Sequence, residues 1–138
     1  MAFLSLDQAQ KVLEASLAKA NEISSPSSIA VLDSGRELVA FIRMDGALLA
    51  SVAISQAKAY TARSLNAATK DVGSLVQPGG ALYGLHTAHL SVGRALVTFG
   101  GGVPIMSGDE IIGAVGVAGG SPDQDHETAA AGAAALGG

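Results

Sequence analysis

From Ile111 to Ala118 the chain reads IIGAVGVA, a run without a polar side chain. Successive residues of a strand point to opposite faces. Ile111, Gly113, Val115 and Val117 therefore share one face, and Ile112, Ala114, Gly116 and Ala118 the other. Neither face is polar, which predicts a central strand covered on both sides. The second face is nearly flat beyond Ile112, so a helix or a flat ligand can come close to the backbone there. Ser107-Gly108-Asp109, set between Val103-Pro104-Ile105-Met106 and Glu110-Ile111-Ile112, is a hairpin signal in which Gly supplies the positive φ. After the strand come Ser121 as N-cap, Pro122 at the first helical position and Gln124 completing an S-x-x-Q capping box. Asp123, Asp125 and Glu127 fill the first turn, where the helix dipole favours carboxylates, and Gly137 ends the helix.

The same signals recur upstream. Ser5 and Gln8 form a second S-x-x-Q box, and Leu6, Ala9, Leu13, Leu17 and Ala20 follow at helical spacing, predicting an amphipathic helix that ends near Asn21. Ile29 to Leu32 and Leu38 to Ile42 are β-prone runs joined by Asp33-Ser34-Gly35-Arg36, a second hairpin. Leu48 to Leu65 is Ala-rich, with Leu49, Val52, Ala53, Ala57 and Tyr60 at helical spacing and a polar strip of Ser51, Ser55 and Lys58. Asn66 to Val76 reads as a short helix, Leu82 to Leu96 is ambiguous, and Val97-Thr98-Phe99 is a candidate fifth strand. Hairpin pairs separated by helices, rather than strands and helices in strict alternation, predict an α+β fold: an antiparallel sheet of four to five strands with helices packed on it.

Composition narrows the function classes. The 138 residues suffice for one domain with a buried core, and only five are aromatic, so the core is aliphatic. A formal charge of −4 with scattered lysines and arginines argues against nucleic acid as a partner. No cysteine is present, so disulfides and thiolate chemistry are excluded. The N-terminal MAFLSLDQAQ has no basic segment leading into an apolar run, and no apolar stretch has membrane-spanning length, so the expected setting is the cytoplasm, without membrane contact.

Five motifs in order carry a family resemblance: Ile29–Gly35 (IAVLDSG), Leu38–Gly46 (LVAFIRMDG), Ser55–Ala62 (SQAKAYTA), Gly101–Ile105 (GGVPI), and Ile112–Val117 (IGAVGV) with Gln124-Asp125. In them the chain resembles the GlcG/HbpS family, also called the haem-degrading domain family, which is similar to the C-terminal domain of PduO-type proteins. The resemblance spans nearly the whole chain. It implies a profilin-like sheet flanked by helices and assembly into symmetric homo-oligomers. Members are described as haem-binding and haem-degrading proteins, as accessory proteins of glycolate use and as partners of corrinoid enzymes. Secreted haem-binding members carry an export signal, whereas this sequence opens directly on its first expected helix, so an extracellular haem role is not the expectation here.

Candidate chemistry falls into four groups. Gly119-Gly120 precede a helix N-terminus, where free amides suit a small carboxylate or carbonyl; the alternative is that Asp123, Asp125 and Glu127 already occupy that dipole. Arg43 and Lys58 can hold a carboxylate substrate while Asp45 moves a proton, if the polar strip faces a pocket at the sheet edge; otherwise Arg43 and Asp45 form a surface pair and Lys58 is solvated or at a subunit contact. His86 and His89, three apart, would share a face of a helix, and one can serve as an axial haem ligand; a satisfied polar face is the plainer reading. His126 is a candidate acid or base, or a solvent-facing residue. Phe41, Tyr60, Tyr83 and Phe99 are the aromatic residues available to wall a tetrapyrrole. Two function classes result: a small-ligand-binding protein for haem or another tetrapyrrole, and a cofactor-free enzyme or accessory protein acting on a small carboxylic acid.

Overall fold

The computed structural model describes residues 3–137; Met1, Ala2 and Gly138, the ends of the expected 1–138 domain, lie outside the described residues. The elements are α1 (Leu6–Glu22), β1 (Ser28–Asp33), β2 (Leu38–Arg43), α2 (Ser51–Leu65), β3 (Gly102–Ser107), β4 (Glu110–Ala118) and α3 (Pro122–Ala133). Both expected capping boxes form, at Ser5/Gln8 and at Ser121/Gln124. One antiparallel sheet runs in the order β2-β1-β4-β3. The two hairpins are thus joined through β1 and β4, and β4 is central as expected. Helix α2 covers one face; α1 and α3 pack side by side on the other.

The face against α1 and α3 carries the main aliphatic core, with Ile29, Val31, Ile105, Val115 and Val117 beneath Val12 and Ala129. Ile112 joins this core rather than the opposite face. The β3–β4 register skips it between the pairs Ile105↔Gly113 and Met106↔Ile111, and such a bulge turns one extra side chain to the other side. The face against α2 is flat. A Cβ on Gly116 would lie within 3.0 Å of both Ala59 N and Ala59 Cβ, so helix and strand touch main chain to main chain.

That contact decides which side of α2 faces inward. Ser51, Ser55 and Lys58 are buried together with Ala59, Tyr60, Thr61 and Ala62, whereas Leu49 is 90% exposed. The condition that the polar strip face a pocket is not met, nor is the strip solvated: it faces the sheet, where Ser51 and Ser55 are short enough for the helix to seat on a strand surface made of Ala114 and Gly116. Their hydroxyls are satisfied locally, Ser51 Oγ by Ser28 Oγ (2.8 Å) and Ser55 Oγ by Val52 O (3.0 Å).

Three further differences have local causes. Helix α2 starts at Ser51, not Leu48, from an Ala50 cap without a side-chain acceptor. It ends where Asn66 turns left-handed (φ 53°), after which residues 66–76 give two short 3₁₀ turns, Thr69–Asp71 and Gly73–Val76, in place of a helix. Val97-Thr98-Phe99 adds no strand. Its polar groups are taken by side chains, Val97 N–H by Thr61 Oγ1 (2.9 Å) and Phe99 O by the Thr69 hydroxyl (2.7 Å).

Candidate functional site

The residues expected to act together are dispersed. Arg43 ends β2 and Asp45 lies in the turn after it, both exposed, and no ion pair joins them among the described residues. Lys58 is fully buried instead. Its Nζ donates to Asp125 Oδ2 (2.9 Å) and to Val117 O (2.9 Å), passing beside Gly101, where a Cβ would come within 2.6 Å of it. Burial pulls the Lys58 pKa below the usual lysine range, while the hydrogen bond and charge of Asp125 pull it back. This pair ties α2 to α3 across the end of the sheet and holds the Lys58 ammonium inside the protein, out of reach of a carboxylate substrate in solvent.

The helix N-terminus is likewise filled from within. Asp125 Oδ1 accepts from Gly120 N–H (2.9 Å), so a side-chain carboxylate already holds the Gly120 amide that a ligand would need. His126, on the next residue, is half-buried, and its Nδ1 is enclosed without a partner among the described residues. Its pKa is lowered, first by burial and then by the Lys70 charge, against the opposing pull of Asp71 and Asp123.

His86 and His89 lie in a segment of short 3₁₀ turns, Leu85–Thr87 and Leu90–Val92, rather than on one helix face. His86 is exposed. His89 is half-buried, with Nδ1 3.0 Å from the Tyr60 hydroxyl and its ring edge-on to that of Tyr60 at 5.7 Å. Among the described residues no three His, Asp or Glu side chains gather as a metal cage.

Tyr60 leads to the concavity that the sequence did not announce. A cleft of about 540 Å³ opens between the β1–β2 hairpin, α2 and residues 93–97. That volume lies in the range of small-molecule pockets, roughly 300–1,000 Å³. Leu32, Leu38, Ile54 and Val97 give it apolar walls, while Tyr60, Arg36 and Arg94 supply the polar groups. The Arg36 guanidinium stands 4.8 Å from the centre of the Tyr60 ring and that of Arg94 4.1 Å. Arg36 Nη1 also donates to the Tyr60 hydroxyl and to Ser64 Oγ, each at 3.2 Å. Two like charges around one ring repel each other in a space with low-dielectric walls, and an anion between them relieves that repulsion. Glu37, at the exposed rim, is the one acidic residue lining the cleft.

Arg36 is reached through an unusual backbone. Arg36 N–H closes the turn on Asp33 O (3.0 Å), and Arg36 itself has φ 70°. In hairpins of this type the left-handed residue is ordinarily Gly. A side chain there costs roughly 1–2 kcal/mol.

The family model for the haem degrading protein HbpS-like group matches residues 4–134. The chain belongs to the HbpS-like family. A 15.0 kDa protein from the dhaT-dhaS intergenic region of Citrobacter freundii is 42% identical over 126 residues, 91% of this chain and 87% of that one. The crystal structure of Klebsiella pneumoniae ORFY superposes with a TM-score of 0.91 at 36% identity, over 99% of this chain and 93% of its own. A crystal structure of the PduOC:heme complex superposes with a TM-score of 0.89 at 34% identity, over 97% and 95%. The α+β architecture expected from the sequence is thus that of the HbpS-like family. Arg36 and Arg94 were not singled out in the sequence because nothing local marks them: 58 positions separate them, and only the fold puts both against Tyr60.

Proposed function

We propose that this chain is a binding protein for haem or a related tetrapyrrole, held in the Tyr60 cleft with its acidic side groups toward Arg36 and Arg94. The observation that carries the reading is the pair of guanidiniums set around Tyr60 in a cleft with apolar walls of Leu32, Leu38, Ile54 and Val97. A ligand with a flat apolar body and carboxylate arms matches both halves of that lining. The similarity to the haem-complexed PduOC structure and the HbpS-like family supports haem as the first ligand to test.

The residues present fit such a group. His89 stands beside the cleft rather than in its lining, tied to it through the Tyr60 hydroxyl at Nδ1, which leaves Nε2 as the atom that would meet an iron centre; a hydrogen bond on the second nitrogen is what orients ligating histidines. Haem would supply an iron centre; the protein contributes the histidine, the cationic anchor and exclusion of water. Asp45 and His126, the groups suggested for proton transfer on a small carboxylic acid, are not among the cleft-lining residues, so that alternative finds neither of its bases there. We also infer that the chain self-associates, because Leu48, Leu49, Tyr83, Leu90 and Val92 are each more than 60% exposed.

The test is titration of the purified protein with haemin. A saturable Soret band at one haem per chain is expected, shifted in His89→Ala, unchanged in His86→Ala, and about tenfold weaker in Arg94→Gln, as loss of one charge-assisted hydrogen bond implies. A featureless, non-saturating absorbance, or a band indifferent to both His89 and Arg94, overturns the reading.

A further inference from the structure

Arg36 serves two cavities. Next to the cleft lies a smaller depression of about 290 Å³ lined by Ser34, Gly35, Arg36, Arg63 and Ser64. Arg63 is fixed at its mouth, with Nε donating to Ser34 O (2.8 Å) and Nη1 to Asn66 Oδ1. Arg36 Nη1 is held by Tyr60 and Ser64. The second terminal nitrogen of each guanidinium has no hydrogen-bond partner among the described residues. Two guanidiniums and two hydroxyls thus converge in a depression with no carboxylate in its lining, on a chain whose net charge is −4. Two acids flank this turn: Asp33 is occupied by it, its Oδ1 accepting from Gly35 N–H (2.9 Å) and Glu37 N–H (3.0 Å), and Glu37 lines the cleft rather than the depression. Planar forks of donors beside hydroxyls are suited to carboxylate and phosphate oxygens.

We propose that this depression is an oxyanion subsite continuous with the cleft. The natural ligand then carries at least two acidic groups, one between Arg94 and Arg36 and the other between Arg36 and Arg63. This rests on the cleft being the ligand site. It also accounts for an arginine at a turn position made for glycine: the left-handed backbone places one guanidinium in the lining of both cavities.

Haemin, its dimethyl ester and inorganic phosphate separate the possibilities. Haemin is expected to bind about tenfold more weakly to Arg63→Gln than to wild type, while the dimethyl ester, which has no free acid, binds both alike. Phosphate is expected to raise the melting temperature of wild type and not of Arg63→Gln, with Arg43→Gln, outside both cavities, behaving as wild type. Arg36→Gly is the decisive variant. Its melting temperature should hold or rise, since Gly suits the backbone, while haemin affinity falls about tenfold or more; a merely structural arginine would lose stability. If haemin binds Arg63→Gln as it binds wild type and phosphate protects neither, the subsite is rejected and the cleft stands. If wild type does not bind haemin, the cleft reading falls and the two-armed ligand falls with it.

Discussion

At the residue scale, buried charge dominates. Asp125→Ala leaves Lys58 without its counter-ion, and breaking such a pair costs about 3–5 kcal/mol; urea denaturation followed by circular dichroism should show that loss. Lys58→Met combined with Asp125→Leu, which removes both charges, should recover most of it. His126 gives a signed pH effect. Its folded pKa lies below the ordinary value of about 6.5, so the unfolded chain takes up the proton first as pH falls. Stability is full above about pH 6.5 and declines through the window beneath it; His126→Gln should flatten that part of the profile of denaturation midpoint against pH. These residues also mark the limit of sequence reading. A helical period assigns Ser51, Ser55 and Lys58 to one face but not to the wet side, and nothing in it shows that Asp125 lies 2.9 Å from Lys58.

At the element scale, much more was legible. Capping boxes and hairpin turns are local patterns, and the structure reproduces them because each is stabilised by groups a few residues apart; the flat strand was legible from its own small residues, although its partners β1 and α2 are distant in sequence. Ser121→Ala should cost about 1 kcal/mol and lower the melting temperature by roughly 4 °C in a calorimetric scan. Gly116→Val tests the main-chain contact between β4 and α2: overpacking costs about 1–3 kcal/mol where neighbours can yield, and here the neighbours are backbone atoms of α2, so a loss at or above the top of that range is expected. The segment from Asn66 to Phe99 was not legible, because side-chain hydroxyls such as those of Thr61 and Thr69, rather than any repeating backbone pattern, hold it.

At the scale of the whole molecule, charge and exposed apolar surface set the behaviour. Three of the four arginines line the two cavities, although the chain as a whole is acidic. Haemin affinity should therefore fall as ionic strength rises from about 0.1 to about 1 M, where the Debye length shrinks from about 10 to about 3 Å. Sedimentation should return a multiple of the 13.6 kDa chain mass; a single 13.6 kDa species would refute self-association. The close seating of α2 on Gly116 has one more effect. The cleft has a floor seated tightly on the sheet and, facing the β1–β2 hairpin, a wall that hangs on short 3₁₀ turns, so adaptation to ligands of different girth falls first to that wall. Amide protons of residues 55–62 should exchange slowly with or without haemin, whereas those of residues 85–96 should exchange quickly and slow down only when haemin is present.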